Sequence, residues 1–165
     1  VIRVLVSACL LGERVRYNGA DARCASDVLA RWAREGRLVP FCPEVAGGLP
    51  VPRPAAEIGQ GDGRAVLRGA APVRDQAGRD LTGFFLAGAQ GALEAARAQG
   101  ALLAVLKEGS PSCGTETIHD GTFTGARRAG PGVTAALLEQ NGIRVFSERQ
   151  LDMADAWLRE QEANV

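Results

Sequence analysis

The sequence predicts an α/β protein, a three-layer sandwich built on a mainly parallel sheet of about four to five strands. Two observations carry this. Short, uninterrupted apolar runs of the kind that fill strands buried on both faces alternate with stretches whose apolar residues recur at helical spacing. Three of those runs, starting at Val4, Leu38 and Ala101, lead into loops that carry Cys9, Cys42 and Cys113. In a parallel sheet the strand-to-helix loops share one edge, and ligands bind there near a switch in strand order.

The elements follow in order. Residues 2–8 are β-branched and leucine-rich and read as a first strand. Residues 12–19 form a polar loop. Ser26 caps a helix with Asp27 in its first turn, Val28, Leu29, Trp32 and Ala33 on its apolar face, and Gly36 at its end. Leu38 to Phe41 make a second strand. From Cys42 to about Ile58 the prolines and the Gly47-Gly48 pair predict a long irregular segment, a length of loop that usually serves function. Residues 57–79 read as a small hairpin turning at Asp62-Gly63, with Ala65-Val66-Leu67 in a strand. Leu81 to Gln99 is the longest helix, started by Asp80 or Thr82, with Gly88 and Gly91 available for close packing on the sheet. Ala101 to Leu106 is a third strand, 107–130 a second long loop, and Gly132 to Gln140 a helix. Asn141-Gly142 turns into a fourth strand at Ile143–Phe146, and a helix from Glu148 to about Glu160 closes the chain. The alternation is Rossmann-like, and residues 1–165 read as one domain.

Composition excludes several classes of function. Hydrophobic residues make up 46% of the chain, enough for a buried core and too many for a disordered segment. Nineteen basic residues balance nineteen acidic ones, so no strong nucleic-acid or membrane-surface signal exists. No apolar run approaches the roughly 18–20 residues of a membrane span. The N-terminus reads as a strand, not a signal peptide. These features predict a cytoplasmic protein, where cysteines serve metals or catalysis in preference to disulfides.

Cys9, Cys42 and Cys113 are then either small buried hydrophobes or, if they converge, thiolate ligands for a soft metal or an iron–sulfur cluster. The absence of C-x-x-C spacing argues against a zinc ribbon and a thioredoxin-like dithiol. Three ligands would leave a coordination position open, as a Lewis-acid catalyst requires. Cys24 lacks a strand-end setting and reads as incidental. Glu44, two residues after Cys42, is either a general base or an exposed loop carboxylate. Ser110 and Ser112 flank Pro111 as turn formers do. His119 is the only histidine and reads as structural. Gly47-Gly48 lets backbone approach a ligand, but neither G-x-G-x-x-G nor a Walker motif is present. Four classes remain: a cluster-dependent enzyme, a non-catalytic iron–sulfur or zinc-binding module acting as sulfur carrier or sensor, a three-cysteine zinc protein with water, and a metal-free cysteine nucleophile. The last ranks lowest, because no His–Asp partner pattern accompanies the thiols.

Five segments carry a more specific signal: Val6-Ser7-Ala8-Cys9-Leu10-Leu11-Gly12, Val15-Arg16-Tyr17-Asn18-Gly19, Cys42-Pro43-Glu44-Val45-Ala46-Gly47-Gly48-Leu49-Pro50 with Pro52-Arg53, Leu106-Lys107 with Ser110-Pro111-Ser112-Cys113-Gly114, and Asp120-Gly121-Thr122-Phe123. In order and spacing the chain resembles the thiouracil desulfurase (TudS) family, a stand-alone bacterial domain formerly of unknown function. The resemblance implies a [4Fe–4S] cluster with three cysteine ligands, Cys9, Cys42 and Cys113. It implies non-redox desulfuration of a thiolated nucleobase such as 2-thiouracil, to uracil and sulfide, with the substrate sulfur on the iron that no residue ligates. Glu44 and Ser110 take the catalytic positions, with Ser112 as the second choice of hydroxyl. Asn18, Gly47, Gly48 and Asp120 fall in the motifs expected to contact a thiolated pyrimidine. Cluster-assembly machinery is the implied partner. Two departures, Asn18 in place of aspartate and His119 in place of tyrosine, bear on substrate preference.

Overall fold

A computed structural model describes residues 1–165. The first half of the chain forms β1 (Val4–Ser7), α1 (Asp27–Arg34), β2 (Leu38–Phe41), α2 (Pro43–Ala46), β3 (Ala56–Ile58), α3 (Gly63–Leu67) and β4 (Val73–Asp75). The second half forms α4 (Thr82–Ala98), β5 (Leu103–Leu106), β6 (Thr117–His119), β7 (Arg127–Ala129), α5 (Val133–Gln140), β8 (Arg144–Ser147) and α6 (Leu151–Ala163). Four strands pair in parallel in the order β2–β1–β5–β8. The chain steps outward from β1 to β2 and then returns across β1 to β5. The carboxyl ends of β1 and β5 therefore mark the switch in strand order, where an α/β sheet opens a crevice.

Side-chain alternation builds the three layers. Successive residues of a strand point to opposite faces, so β1 sends Val4 and Val6 one way and Leu5 the other. On the first face Val4, Val6, Leu103, Val105 and Phe146 pack against Val28, Leu29 and Trp32 of α1 and Leu151, Ala154 and Leu158 of α6. On the second, Leu5, Ala104, Leu106 and Val145 meet Ala92, Leu93 and Ala96 of α4 and Ala135 and Leu138 of α5. Each large side chain buried this way stabilises the fold by about 1.5–3 kcal/mol. The sheet contains one proline, Pro40, and it lies on edge strand β2, where its missing N–H costs least. Ser26 caps α1 as expected, its hydroxyl accepting from Leu29 N at 3.3 Å. Asp80 starts α4, accepting from both the N–H (2.9 Å) and the hydroxyl (2.6 Å) of Thr82. No helix is long and apolar enough to cross a membrane.

Three local expectations fail for identifiable reasons. Ala65-Val66-Leu67 is helix α3, not strand, because Asp62 Oδ1 accepts from Ala65 N at 3.1 Å and caps a turn there. The antiparallel pair expected in this region exists, but it joins β3 to β4 around that helix. The segment after Cys42 opens with the helical turn α2, which Pro43 initiates from the first position, where its missing N–H is harmless. The loop of residues 107–130 contains the hairpin β6–β7, whose exposed arginines gave no alternating apolar signal.

Gly91 packs on the sheet, with the Phe41 ring 3.3 Å from where a Cβ would stand. Gly88 meets α2 instead: a Cβ there would fall inside the carbonyl of Pro43. Gly88→Ala is therefore expected to destabilise the protein by about 1–3 kcal/mol, the usual cost of overpacking. The outcome to look for in denaturant unfolding is a lower midpoint with an unchanged slope. A midpoint equal to that of the unaltered protein would show that α2 gives way freely.

Candidate active site

Each strand that ends near the switch point delivers one cysteine. β1 runs into a 3₁₀ turn, Ala8–Leu11, closed by Gly12 in the left-handed region (φ 95°). The Cys9 carbonyl accepts from Gly12 N (3.2 Å) and Ala22 N (3.0 Å), which fixes the turn from both sides. β2 ends at Cys42, the residue that begins α2 in extended conformation, and the N–H groups of Val45 and Glu44 face its sulfur. β5 leads to Cys113 through a loop folded around the buried carboxylate of Glu108. That carboxylate accepts from the N–H groups of Gly109, Thr115, Glu116 and Thr117 at 2.9–3.2 Å and from the Thr115 hydroxyl at 2.6 Å. Burial alone would raise the Glu108 pKa. The hydrogen bonds outweigh it and hold the carboxyl below its ordinary range. Glu108 thus stays an anionic tether that bends the chain back and returns Cys113 to the sheet edge.

The three sulfurs line one cavity of about 280 Å³, and all three are free thiols. Burial, with Cys42 adding to it, pushes the Cys9 thiol up to about 11. Burial pushes Cys113 up to about 12, against a hydrogen bond from the Ser7 hydroxyl. Burial also raises Cys42, with Glu44 adding to it. Each ionised sulfur thus opposes its neighbour, and three thiolates share this cavity stably only around a cationic group. That is what a metal cluster supplies, so the donor set fits one. No three of the His, Cys, Asp and Glu side chains gather closely enough to hold a single metal ion in this arrangement.

The raised thiols carry a consequence for the metal-free protein. Below the ordinary thiol value of 9.0 both folded and unfolded chains keep Cys9 and Cys113 protonated, so stability is level. Above it the unfolded chain loses protons that the folded chain retains, and stability falls by about 1.4 kcal/mol per pH unit for each thiol. The fall continues until the folded thiols ionise, near pH 11–12. Urea unfolding of reduced apoprotein is expected to show a constant midpoint from pH 7 to about 9 and a steep decline above. A midpoint still level at pH 10.5 would contradict the buried-thiol picture.

The cavity wall also holds a carboxylate in a hydrogen-bonded chain. Glu44 Oε2 accepts from Ser112 Oγ at 2.7 Å, and Glu44 Oε1 accepts from Arg53 Nε at 3.2 Å. Ser112 Oγ lies 3.2 Å from Ser110 Oγ, which itself accepts from Cys113 N at 2.8 Å. The proton positions follow from donor chemistry. An ionised carboxylate only accepts, so the Ser112 proton points to Glu44. Ser112 is then the acceptor for Ser110, and Ser110 carries the one hydroxyl proton not committed to Glu44. Ser112 is fully buried while Ser110 is half-buried, so Ser110 is the hydroxyl that meets whatever enters the cavity.

The residues expected from sequence therefore separate. Cys9, Cys42, Cys113, Glu44, Ser110 and Ser112 all line the cavity. Asn18, Gly47, Gly48 and Asp120 lie outside its lining. Asn18 Oδ1 accepts from Ala20 N at 3.0 Å in an exposed turn, and Asp120 Oδ1 accepts from Thr122 N at 3.0 Å in another. Gly47 and Gly48 pack against Phe84 of α4, where a Cβ on Gly47 would strike the Phe84 carbonyl. Cys24 is half-buried against the first face of the core, away from the cavity. His119, read as structural, stands in the cavity wall on β6 beside Arg127. Arg53 and Glu57 were not singled out by sequence reasoning. Glu57 Oε1 accepts from Gly121 N (2.9 Å) and Phe123 N (3.2 Å), anchoring the loop between β6 and β7. The Pro52-Arg53 pair in the motif after Gly47-Gly48 was the signal available for Arg53.

A parallel sheet with two buried thiols and one half-buried thiol, a carboxylate and two hydroxyls around one cavity at its switch point defines a class: α/β proteins with a cysteine-lined cavity at the sheet edge. The chain belongs to the 2-thiouracil desulfurase family, whose sequence model matches residues 4–150. It is 45% identical over 149 residues to YbbK, an uncharacterized protein of Bacillus subtilis (strain 168), covering 90% of this chain and 97% of that one. Its fold is similar to the solved structure of the [4Fe-4S]-dependent thiouracil desulfidase TudS, with a TM-score of 0.88 and 47% identity over 96% of this chain and 99% of the other.

Proposed function

We infer that this chain is a [4Fe–4S]-dependent desulfidase that removes sulfur from a thiolated pyrimidine such as 2-thiouracil. The observation that carries the reading is the convergence of Cys9, Cys42 and Cys113 on one cavity whose wall contains the Glu44–Ser112–Ser110 chain. The family and the cluster dependence named for the TudS structure support it. Cys9, Cys42 and Cys113 would hold the cluster. When bound, it would supply a soft, Lewis-acidic iron suited to a thiocarbonyl sulfur. The remaining chemistry falls to the chain. Glu44 takes a proton from the water that adds to the thiocarbonyl carbon. Ser110 turns its hydroxyl from Ser112 to the pyrimidine and hydrogen-bonds it as charge develops there, without losing its proton, and Ser112 holds Glu44 and Ser110 in register. A C–O bond forms, the C–S bond breaks, and sulfur leaves as sulfide with its electron pair. The proton held on Glu44 is returned to the products, so no electron acceptor or reductant is consumed. Cluster-assembly machinery and a cytoplasmic setting belong to the same reading. A non-catalytic carrier would leave the carboxylate–hydroxyl chain without use.

The test is anaerobic reconstitution followed by incubation with 2-thiouracil and no reductant. Uracil and sulfide should appear in equal amounts, and only in protein carrying the visible sulfur-to-iron absorption. Cluster-loaded protein that leaves thiouracil unchanged would overturn the substrate assignment.

A further inference from the structure

Arg53 is a buried cation in the cavity wall, with 4% of its side-chain surface exposed. A guanidinium stays charged at any working pH, and a buried charge must be paired and hydrogen-bonded. Arg53 meets this demand with three separate donors. Nε donates to Glu44 Oε1 (3.2 Å), Nη1 to Pro50 O (3.1 Å) and Nη2 to Val15 O (2.9 Å). Its backbone N–H donates to Tyr17 O at 2.7 Å. One residue thus clamps the loop that follows Cys9 to the segment that follows Cys42. The pairing with Glu44 is single, not forked, which leaves Oε2 free for Ser112 and pins the carboxylate at both oxygens.

We propose that Arg53 is a positioning residue, holding the Glu44 carboxylate in the one orientation in which it accepts the Ser112 hydrogen bond and so setting the direction of the Ser110–Ser112–Glu44 chain. The inference rests on the desulfidase reading, because that reading gives Glu44 its task. One feature of the site makes the clamp necessary. Rotation of the carboxylate off Ser112 would free the Ser112 hydroxyl to turn to the Cys113 sulfur, 3.6 Å away, and reverse the chain. This effect does not require Arg53 to touch substrate.

Arg53→Lys and Arg53→Met separate this from a merely structural role. Lysine keeps the charge but cannot supply donors in a fork, and methionine keeps only bulk. Cluster absorbance per chain should match the unaltered protein in both. With 2-thiouracil as substrate, kcat should fall about 100-fold in Arg53→Met, with KM changed less than about threefold, the pattern of a misplaced catalytic group. Arg53→Lys should recover about a tenth of the unaltered rate, because the charge beside Glu44 is restored. Crystals of apo Arg53→Lys should show the Glu44–Ser112 contact lengthened beyond hydrogen-bond reach, about 3.5 Å. If Arg53→Met does not fold, the kcat and structure of Arg53→Lys decide. An unchanged kcat in a folded variant, a loss confined to KM or cluster content, or an unmoved Glu44–Ser112 bond would overturn the proposal. Failure of the desulfidase reading is separate, since the unaltered, cluster-loaded protein would then be inactive.

Discussion

Cys113→Ala is expected to abolish cluster binding. After anaerobic reconstitution, iron and acid-labile sulfide fall to background while the chain stays folded. Cys113 is 5% exposed, and its thiol is pushed up to about 12 in the metal-free chain. Iron bound there would take the place of its proton and make it a thiolate near neutral pH. Removing it leaves two protein sulfurs around a cavity shaped for three, and no other cysteine lines the cavity to replace it. The structural cost is small by comparison. Deleting one buried sulfur opens a void worth on the order of 1–2 kcal/mol, within the stability of an ordinary domain. Cys24→Ala provides the internal control, because Cys24 packs outside the cavity and its loss should leave cluster content unchanged. Full iron content in Cys113→Ala, or loss in Cys24→Ala, would reverse the ligand assignment.

Glu44→Gln should give the opposite pattern: the cluster intact and turnover lost. Removing a general base typically costs about 10²–10⁴-fold in rate. Glutamine matches the shape of glutamate, yet it changes both ends of the hydrogen-bonded chain. An amide nitrogen placed at the Oε2 position donates to Ser112 and cannot accept its proton, so the proton direction derived for Ser112 and Ser110 reverses. At the other end the buried Arg53 guanidinium keeps a hydrogen-bond acceptor but loses its anion. That adds a stability loss of about 1–3 kcal/mol. Steady-state kinetics, with cluster absorbance measured on the same samples, checks the pattern. A fully loaded Glu44→Gln protein with kcat within a few-fold of the unaltered chain would remove Glu44 from the chemistry.

The parts of this arrangement legible in sequence are those set by local patterning. Val4–Ser7 and Leu103–Leu106 are buried along their whole length, and an uninterrupted apolar run reports that directly. The placement of Cys9, Cys42 and Cys113 at one edge then follows from parallel topology. Ala65-Val66-Leu67 misled because β-branching favours a strand only when a partner is present, and here the Asp62 cap settles the matter locally. The site's polar wiring lies beyond local patterning altogether. Ser112 reaches Glu44 across 68 positions of sequence, and Arg53 Nη2 reaches Val15 O across 38. Glu108 reads as an ordinary loop charge until the N–H groups seven to nine residues downstream turn inward to meet it. His119 looked structural because a lone histidine has no sequence partner. Its neighbours at the cavity, Arg127 and Glu57, arrive from another strand and another sheet.

Everything proposed for the site depends on where iron binds. An anaerobic crystal structure of the reconstituted protein, with data collected on either side of the iron absorption edge, locates it. A compact group of anomalous peaks in the cavity, bonded to the sulfurs of Cys9, Cys42 and Cys113, with one iron free of protein ligands on the side of Glu44 and Ser110, is the expected map. Iron held by Cys24, by only two of the three cavity sulfurs, or outside the cavity would contradict the cluster site and the chemistry assigned to it.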